Sequence, residues 1–264
     1  AAFLVRDVAD AFRGATEVDD QSELAWGGLI DREEPGPALR ALLQPRRLAA
    51  FFLFGVARAL VGSLVRPEVK GLEHLPRRGP FIISPNHQSY IDPFVLVGVL
   101  PFGVFRQLFF VGAAEYFQTN ATAWLARRFN IVPVDPDANL LPAMQAGAFG
   151  LKHGKVLVLF PEGERSIDGG VKKFKKGAAI LSRHLGVPIV PVAISGMFEI
   201  WPRNRPLDWR RLLPWRGHRA HVELGPPMPP PVPSRSDAEH ALALRAAVER
   251  MWLRSTRSSA ERSA

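Results

Sequence analysis

The chain of 264 residues contains no cysteine, which excludes disulfides, thiolate metal sites and a cysteine nucleophile. Its seven histidines are scattered without ligand-like spacing, so no metal is expected. An initiator methionine and a signal-peptide pattern are both missing. The sequence therefore reads as a fragment or an excised domain, and the tail of a fused upstream domain is one alternative for residues 1–45. Acidic residues are scarce in 202–219, where Arg203, Arg205, Arg210, Arg211, Arg216 and Arg219 stand against Asp208 alone. The apolar run 48–65 is not free of charge either. Arg58 interrupts it, and an arginine near the centre of a spanning helix costs roughly 2.5–3.5 kcal/mol on insertion scales.

What is present fits a folded chain. Apolar residues make up 47% and mean hydropathy is close to zero, which argues against disorder. The length suits one large α/β domain or two small ones. A net charge of +9 and a pI near 10.6 favour anionic partners.

Residues 1–36 read as a short helix and a linker ending at Pro35-Gly36-Pro37. Over 37–66, Arg46, Arg47 and Arg66 flank a run rich in Phe51, Phe52 and Phe54, the pattern of a helix lying in a membrane interface. A buried helix and a spanning one are the alternatives. Between 67 and 233, short apolar strands at 80–84, 107–112, 130–134, 155–160, 188–194 and 219–224 alternate with helical stretches near 93–100, 121–129, 138–152 and 174–186. That alternation predicts an α/β fold whose sheet is mixed, largely parallel and flanked by helices. Residues 234–264 read as an amphipathic helix over 237–254 followed by a disordered tail.

Active sites in such folds collect at the carboxyl ends of strands, and two charged stretches fall there. Asn86-His87-Gln88-Ser89-Tyr90-Ile91-Asp92-Pro93 follows Phe81-Ile82-Ile83. A histidine and a carboxylate joined by a turn can act as general base and orienting partner. The alternatives are a hydrogen-bonded turn histidine and an Asp92, or Ser89, that merely caps a helix. The second stretch, Phe160-Pro161-Glu162-Gly163-Glu164-Arg165-Ser166, follows Val156-Leu157-Val158-Leu159. Arg165 carries a planar fork suited to phosphate or carboxylate, Gly163 admits a ligand to the backbone, and Glu162 can accept from hydroxyls. A surface turn with a local Glu/Arg pair is the competing reading. Lys172, Lys173, Lys175 and Lys176 form either a solvated face or a site for a cofactor phosphate or an anionic lipid surface. Trp201, Trp209 and Trp215 among arginines suit a membrane interface or stacking platforms.

His87 with Asp92, the Phe160–Ser166 loop, and Val187-Pro188-Ile189-Val190-Pro191 follow one another in the order seen in PlsC-type glycerophospholipid acyltransferases. The chain resembles that family over roughly 67–228. The resemblance implies a glycerol-3-phosphate acyltransferase-like fold with an N-terminal membrane-associating helical region. It implies a fatty acyl group moved from acyl-CoA or acyl carrier protein to the hydroxyl of a lysophospholipid such as 1-acyl-glycerol-3-phosphate. By it, His87 is the base and Asp92 its partner. Asn86, Ser89, Glu162, Gly163, Arg165 and Ser166 belong to acceptor binding, and Pro191, with the lysines, to the acyl donor. No cofactor beyond the co-substrate is implied. The partners are membrane lipids and the acyl carrier, not nucleic acid. The expected location is the cytoplasmic face of the plasma (inner) membrane, peripheral or monotopic.

Two departures from the family pattern stand out. Glu164 replaces a threonine and adds negative charge beside the anion site, and Pro136 stands where the second motif has an arginine. One cationic contact is then missing, which favours a different lysophospholipid or another lipid alcohol or amine. Acyl-chain length is not legible in any motif. A nucleic-acid-binding reading leaves His87, Asp92 and the Glu-Gly-Glu-Arg loop without a purpose. An idle membrane-docking domain is disfavoured by the presence of both His87 and Asp92.

Overall fold

The computed structural model describes residues 28, 30, 36–44, 48–134, 140–213 and 218–263. The elements are α1 Pro37–Leu43, α2 Leu48–Leu64, β1 Glu68–Lys70, β2 Phe81–Pro85, α3 Asp92–Val99, α4 Phe102–Phe105, β3 Leu108–Ala113 and α5 Asn120–Phe129. They continue with β4 Ile131–Val134, α6 Leu140–Lys152, β5 Val156–Val158, α7 Gly177–Leu185, β6 Ile189–Ser195, β7 His221–Leu224 and α8 Asp237–Ser263. The strands form one sheet in the order β1-β7-β6-β2-β5-β3-β4. All neighbours are parallel except β6 and β7.

The central strands are continuous apolar runs because both faces are covered. Every residue of β2, β5 and β6 is buried, as expected where helices sit on both sides of a parallel sheet. The pleat divides them: Phe81 and Ile83 enter one core with α2, α3 and α4, while Ile82 enters the other with α6, α7 and α8. The six expected strands lie within two residues of those observed. The edge strand β1 escapes the pattern because Glu68-Val69-Lys70 is short and mostly polar.

One expectation is corrected. The tail after 254 is not disordered, since α8 continues to Ser263. Arg254 pairs with Glu223 at 2.6 Å, Ser255 Oγ lies 2.8 Å from Ser195 Oγ, and Thr256 Oγ1 donates to Trp252 O at 3.1 Å. These contacts tie residues 254–256 to the sheet and to the preceding turn of the helix. For 48–65, no helix among the described residues is long and apolar enough to cross a membrane. Arg58 acts locally instead. Its guanidinium donates to Gly98 O at 3.2 Å and Leu100 O at 3.4 Å, holding the open carbonyl end of α3. There α2 and α3 come so close that a Cβ on Gly98 would stand 2.8 Å from Val61. The expected helix at 1–27 lies outside the described residues.

The opposite face of α2 is apolar and exposed. Leu48, Phe52, Val56 and Leu60 recur at four-residue spacing with exposures of 86%, 72%, 37% and 52%, one stripe of a helix. Phe102 of α4, 46% exposed, extends it through a ring contact with Phe51 at 5.3 Å.

Candidate active site

The loop after β2 is fixed first by Asn86, which is fully buried. Its amide donates to Ile194 O at 2.9 Å and accepts from Ile194 N at 2.7 Å, locking the end of β2 to β6. His87 comes next, its backbone held on both sides. His87 N donates to Glu162 Oε1 at 3.0 Å, and His87 O accepts from Ser166 N at 2.8 Å. The loop after β5 thus carries the histidine.

The imidazole is oriented by Asp92, whose side chain is wholly buried. Asp92 Oδ2 stands 2.9 Å from His87 Nδ1 and accepts from Gln88 N at 2.6 Å and Ser89 N at 2.7 Å. The loop amides hold the carboxylate, and the carboxylate holds the ring. With an anion against Nδ1, that nitrogen carries the proton and Nε2 keeps its lone pair. The ring is 17% exposed and packs on Phe160 with centroids 4.1 Å apart. The capping alternative is overturned: the residue before α3 is Ile91, and no side chain caps the helix. Asp92 occupies the first turn, where the backbone dipole also favours its charge.

Glu162 is 4% exposed. Burial pushes its carboxyl up to about 7, against the opposing pull of the His87 amide. Oε1 serves His87, while Oε2 is buried without a hydrogen-bond partner among the described residues. A carboxyl raised from 4.5 in the unfolded chain to about 7 binds its proton more tightly when folded. Its contribution is therefore present below about pH 4.5 and is lost as pH rises towards 7. Wild type should lose on the order of 2–3 kcal/mol of unfolding free energy across that window relative to Glu162→Gln, which keeps an acceptor and removes the charge. Urea denaturation of both proteins at pH 5 and 7.5 checks this, and parallel pH profiles would refute it.

The other expected site residues divide. Gly163 adopts φ +74°, and a Cβ there would strike Lys175 Nζ at 2.6 Å. The positive φ is what favours glycine, since the flexible lysine tip can swing aside. Arg165 does not pair with Glu162; its guanidinium lies 3.2 Å above the Tyr90 ring, which excludes the local ion-pair alternative. Glu164 does not leave a bare negative charge by the anion site either. It bridges Lys172 and Arg203, which hold its carboxyl below the ordinary range. Lys172 and Lys175 thereby join the Glu162–Ser166 loop, Lys173 is exposed, and Lys176 precedes α7.

Asn86, Ser89 and Ser166 are buried to 0%, so they hold the loops rather than line an open site. Ser89 Oγ donates to Trp201 O at 3.0 Å, and Ser166 Oγ donates to Asp168 Oδ1 at 2.8 Å. Pro191 is buried in the middle of the sheet opposite Ser84, where it cannot touch a donor directly. Pro136 and Trp215 lie outside the described residues. Sequence reasoning missed Gln88, Phe160 and Trp201. Gln88 is 3% exposed, and its amide donates to Gly169 O. A buried amide next to a base is a readable signal; the Trp201 carbonyl that receives Ser89 and Tyr90 is not.

Among the described residues no group of histidine and carboxylate side chains could hold a metal ion.

The profile of the acyltransferase family matches residues 66–195. The chain is 30% identical over 141 residues to the chloroplastic 1-acyl-sn-glycerol-3-phosphate acyltransferase BAT2 of Brassica napus, covering 52% of this chain and 39% of that protein. It is 30% identical over 155 residues to the 1-acyl-sn-glycerol-3-phosphate acyltransferase of Pseudomonas aeruginosa, covering 58% and 57%. It thus spans roughly 39–57% of the length of these curated relatives. In fold it matches the crystal structure of the acyltransferase PlsC from Thermotoga maritima, with TM-score 0.65, 24% identity and coverage of 88% and 89% of the two chains.

Proposed function

This chain belongs to the PlsC-type glycerophospholipid acyltransferase family, and on that premise we propose that it transfers a fatty acyl group from a thioester to the hydroxyl of a lysophospholipid. The observation that carries the reading is the His87 ring, held at Nδ1 by a buried Asp92 with Nε2 left as base. Nε2 takes the proton of the acceptor hydroxyl as its oxygen attacks the thioester carbonyl. Asp92 stabilises the imidazolium that forms. The tetrahedral intermediate then collapses, the C–S bond breaks, and the departing sulfur takes the proton from Nε2. No acyl-enzyme is required. The unpartnered Glu162 Oε2 accepts from an acceptor hydroxyl. Arg165 and Lys175 of the same loop region face its anionic head, while Lys172 is paired with Glu164. Asn86, Ser89 and Ser166 act by positioning these groups.

The relatives' names support lysophosphatidic acid as acceptor, and the cations of the loop support an anionic headgroup. The thioester is an acyl-CoA or acyl carrier protein, and no further cofactor takes part. The exposed stripe Leu48, Phe52, Val56 and Leu60 supports docking on a lipid surface as a peripheral or monotopic protein.

One preparation tests both points. Thiol release from palmitoyl-CoA is followed with vesicles carrying a panel of lysophospholipids, and the same vesicles are floated on a density gradient. Release dependent on lysophosphatidic acid is expected; release with no acceptor of the panel would sink the reading. The double change Phe52→Glu and Leu60→Glu should remove most of the protein from the floating fraction, and unaltered flotation would dismiss α2 as the docking face.

A further inference from the structure

The Arg- and Trp-rich segment between β6 and β7 has no part in the chemistry described so far, yet its backbone is tied to the site. Trp201 O accepts from Ser89 Oγ at 3.0 Å and Tyr90 N at 3.3 Å, and Asp208 N donates to Ile200 O at 2.8 Å. His218 Nε2 contacts Gly196 O immediately after β6. The segment therefore stands at the carboxyl ends of β6 and its parallel neighbour β2, the edge from which His87 projects.

Two adjoining cavities of about 410 and 450 Å³ open here. They share Asp208, Arg210 and Arg211; His218 lines the first, and Glu199, Arg205 and Trp209 the second, with both carboxylates engaged by Arg211. Several arginines of the segment are already matched. Arg203 pairs with Glu164, Arg211 with Glu199 at 3.1 Å and Asp208 at 3.2 Å, and Arg219 with Glu68 at 2.6 Å. Arg205 and Arg210 have no carboxylate partner among the described residues. Each guanidinium lies instead near a ring, Phe198 at 5.7 Å and Trp209 at 5.9 Å. Trp209 is 58% exposed. An exposed indole flanked by two uncompensated guanidinium forks, within a concave and charged wall, matches a ligand that combines a flat heterocycle with phosphates. A bilayer offers phosphates but no flat heterocycle for the indole.

We infer that this cleft seats the nucleotide end of coenzyme A, with Trp209 stacking the purine and Arg205 and Arg210 taking the phosphates. The inference rests on the acyltransferase reading and makes acyl-CoA, rather than an acyl carrier protein, the donor. The long pantetheine arm runs from the cleft along the ends of β6 and β2 and brings the thioester to His87, while Lys172 and Lys175 remain with the acceptor loop.

Calorimetric titration of unacylated coenzyme A into the whole chain tests the cleft without requiring turnover. Wild type should bind, more weakly as salt rises. Trp209→Ala, and separately the pair Arg205→Gln and Arg210→Gln, should each lose about tenfold or more in affinity. In turnover, both variants should lose the wild-type preference for decanoyl-CoA over S-decanoyl-pantetheine, which has no nucleotide. Unchanged coenzyme A affinity in folded variants, or a retained donor preference, overturns the proposal. Loss of binding to anionic vesicles with coenzyme A affinity intact also overturns it and gives the segment to the membrane. If coenzyme A binds and the variants weaken it while no acceptor releases thiol, the cleft stands and the acyltransferase reading falls.

Discussion

His87→Ala should lower turnover by roughly 10²- to 10⁴-fold, the range contributed by a positioned general base, with the fold intact. The contacts of the ring explain why the two effects separate. Its side chain holds nothing together beyond Asp92 and a face of Phe160; the loop is held by backbone groups of residue 87, which alanine retains. Stability should therefore move little, and kcat should fall at unchanged near-ultraviolet circular dichroism. Asp92→Asn separates orientation from charge. The amide can keep one acceptor oxygen, but it cannot stabilise the imidazolium, so a loss of up to about 10⁴-fold is expected. Single-turnover release of thiol measures both. A His87→Ala protein retaining more than about a tenth of the wild-type rate would falsify the assignment of the base.

The second large effect belongs to Asn86→Ala and falls on stability. The substitution removes two buried hydrogen bonds and strands the N–H and C=O of Ile194, a residue that is 0% exposed. At about 1 kcal/mol for each bond, plus the desolvation of the orphaned groups, the loss should reach about 3–4 kcal/mol. For a chain of this size the melting temperature should then drop by roughly 10 °C. Asn86→Asp should be no better, since one carboxylate oxygen would face the Ile194 carbonyl. Differential scanning calorimetry decides, and a drop under about 2 °C would show that Ile194 finds other partners. Activity should fall with it, because the clamp sets where β2 ends and hence where His87 stands.

Much of this is readable from the sequence, and what is not has a common cause. Strands covered on both faces announce themselves as unbroken apolar runs, so Phe81–Pro85 and Ile189–Ser195 lie close to their expected places. His87 and Asp92 are legible because a turn between them is implied by Pro93. Their surroundings are not. Whether Asp92 caps α3 or turns back on the histidine depends on where the amides of Gln88 and Ser89 point, a matter of backbone angles that composition does not report. In the sequence Glu164 looks like an unwelcome charge because its partners, Lys172 and Arg203, come from eight and thirty-nine residues away. Arg58 looks like an obstacle inside an apolar helix until the carbonyl end of α3 is set beside it. Motif position gives Asn86, Ser89 and Ser166 to the substrate, whereas burial gives them to the scaffold.

The ties that hold the histidine also set when it can exist. Asp92 is a near neighbour, but Glu162 stands 75 positions along the chain, Ile194 lies 108 from Asn86, and Trp201 lies 112 from Ser89. Closing such separations must precede the contacts that reward it, which slows folding in topologies of this kind. During synthesis, strand β2 emerges long before either of its neighbours, β5 and β6, and waits as an unpaired, wholly apolar segment. The base is therefore among the last features of the molecule to be assembled, and a nascent chain that has not reached Trp201 has the residues of the site without the site.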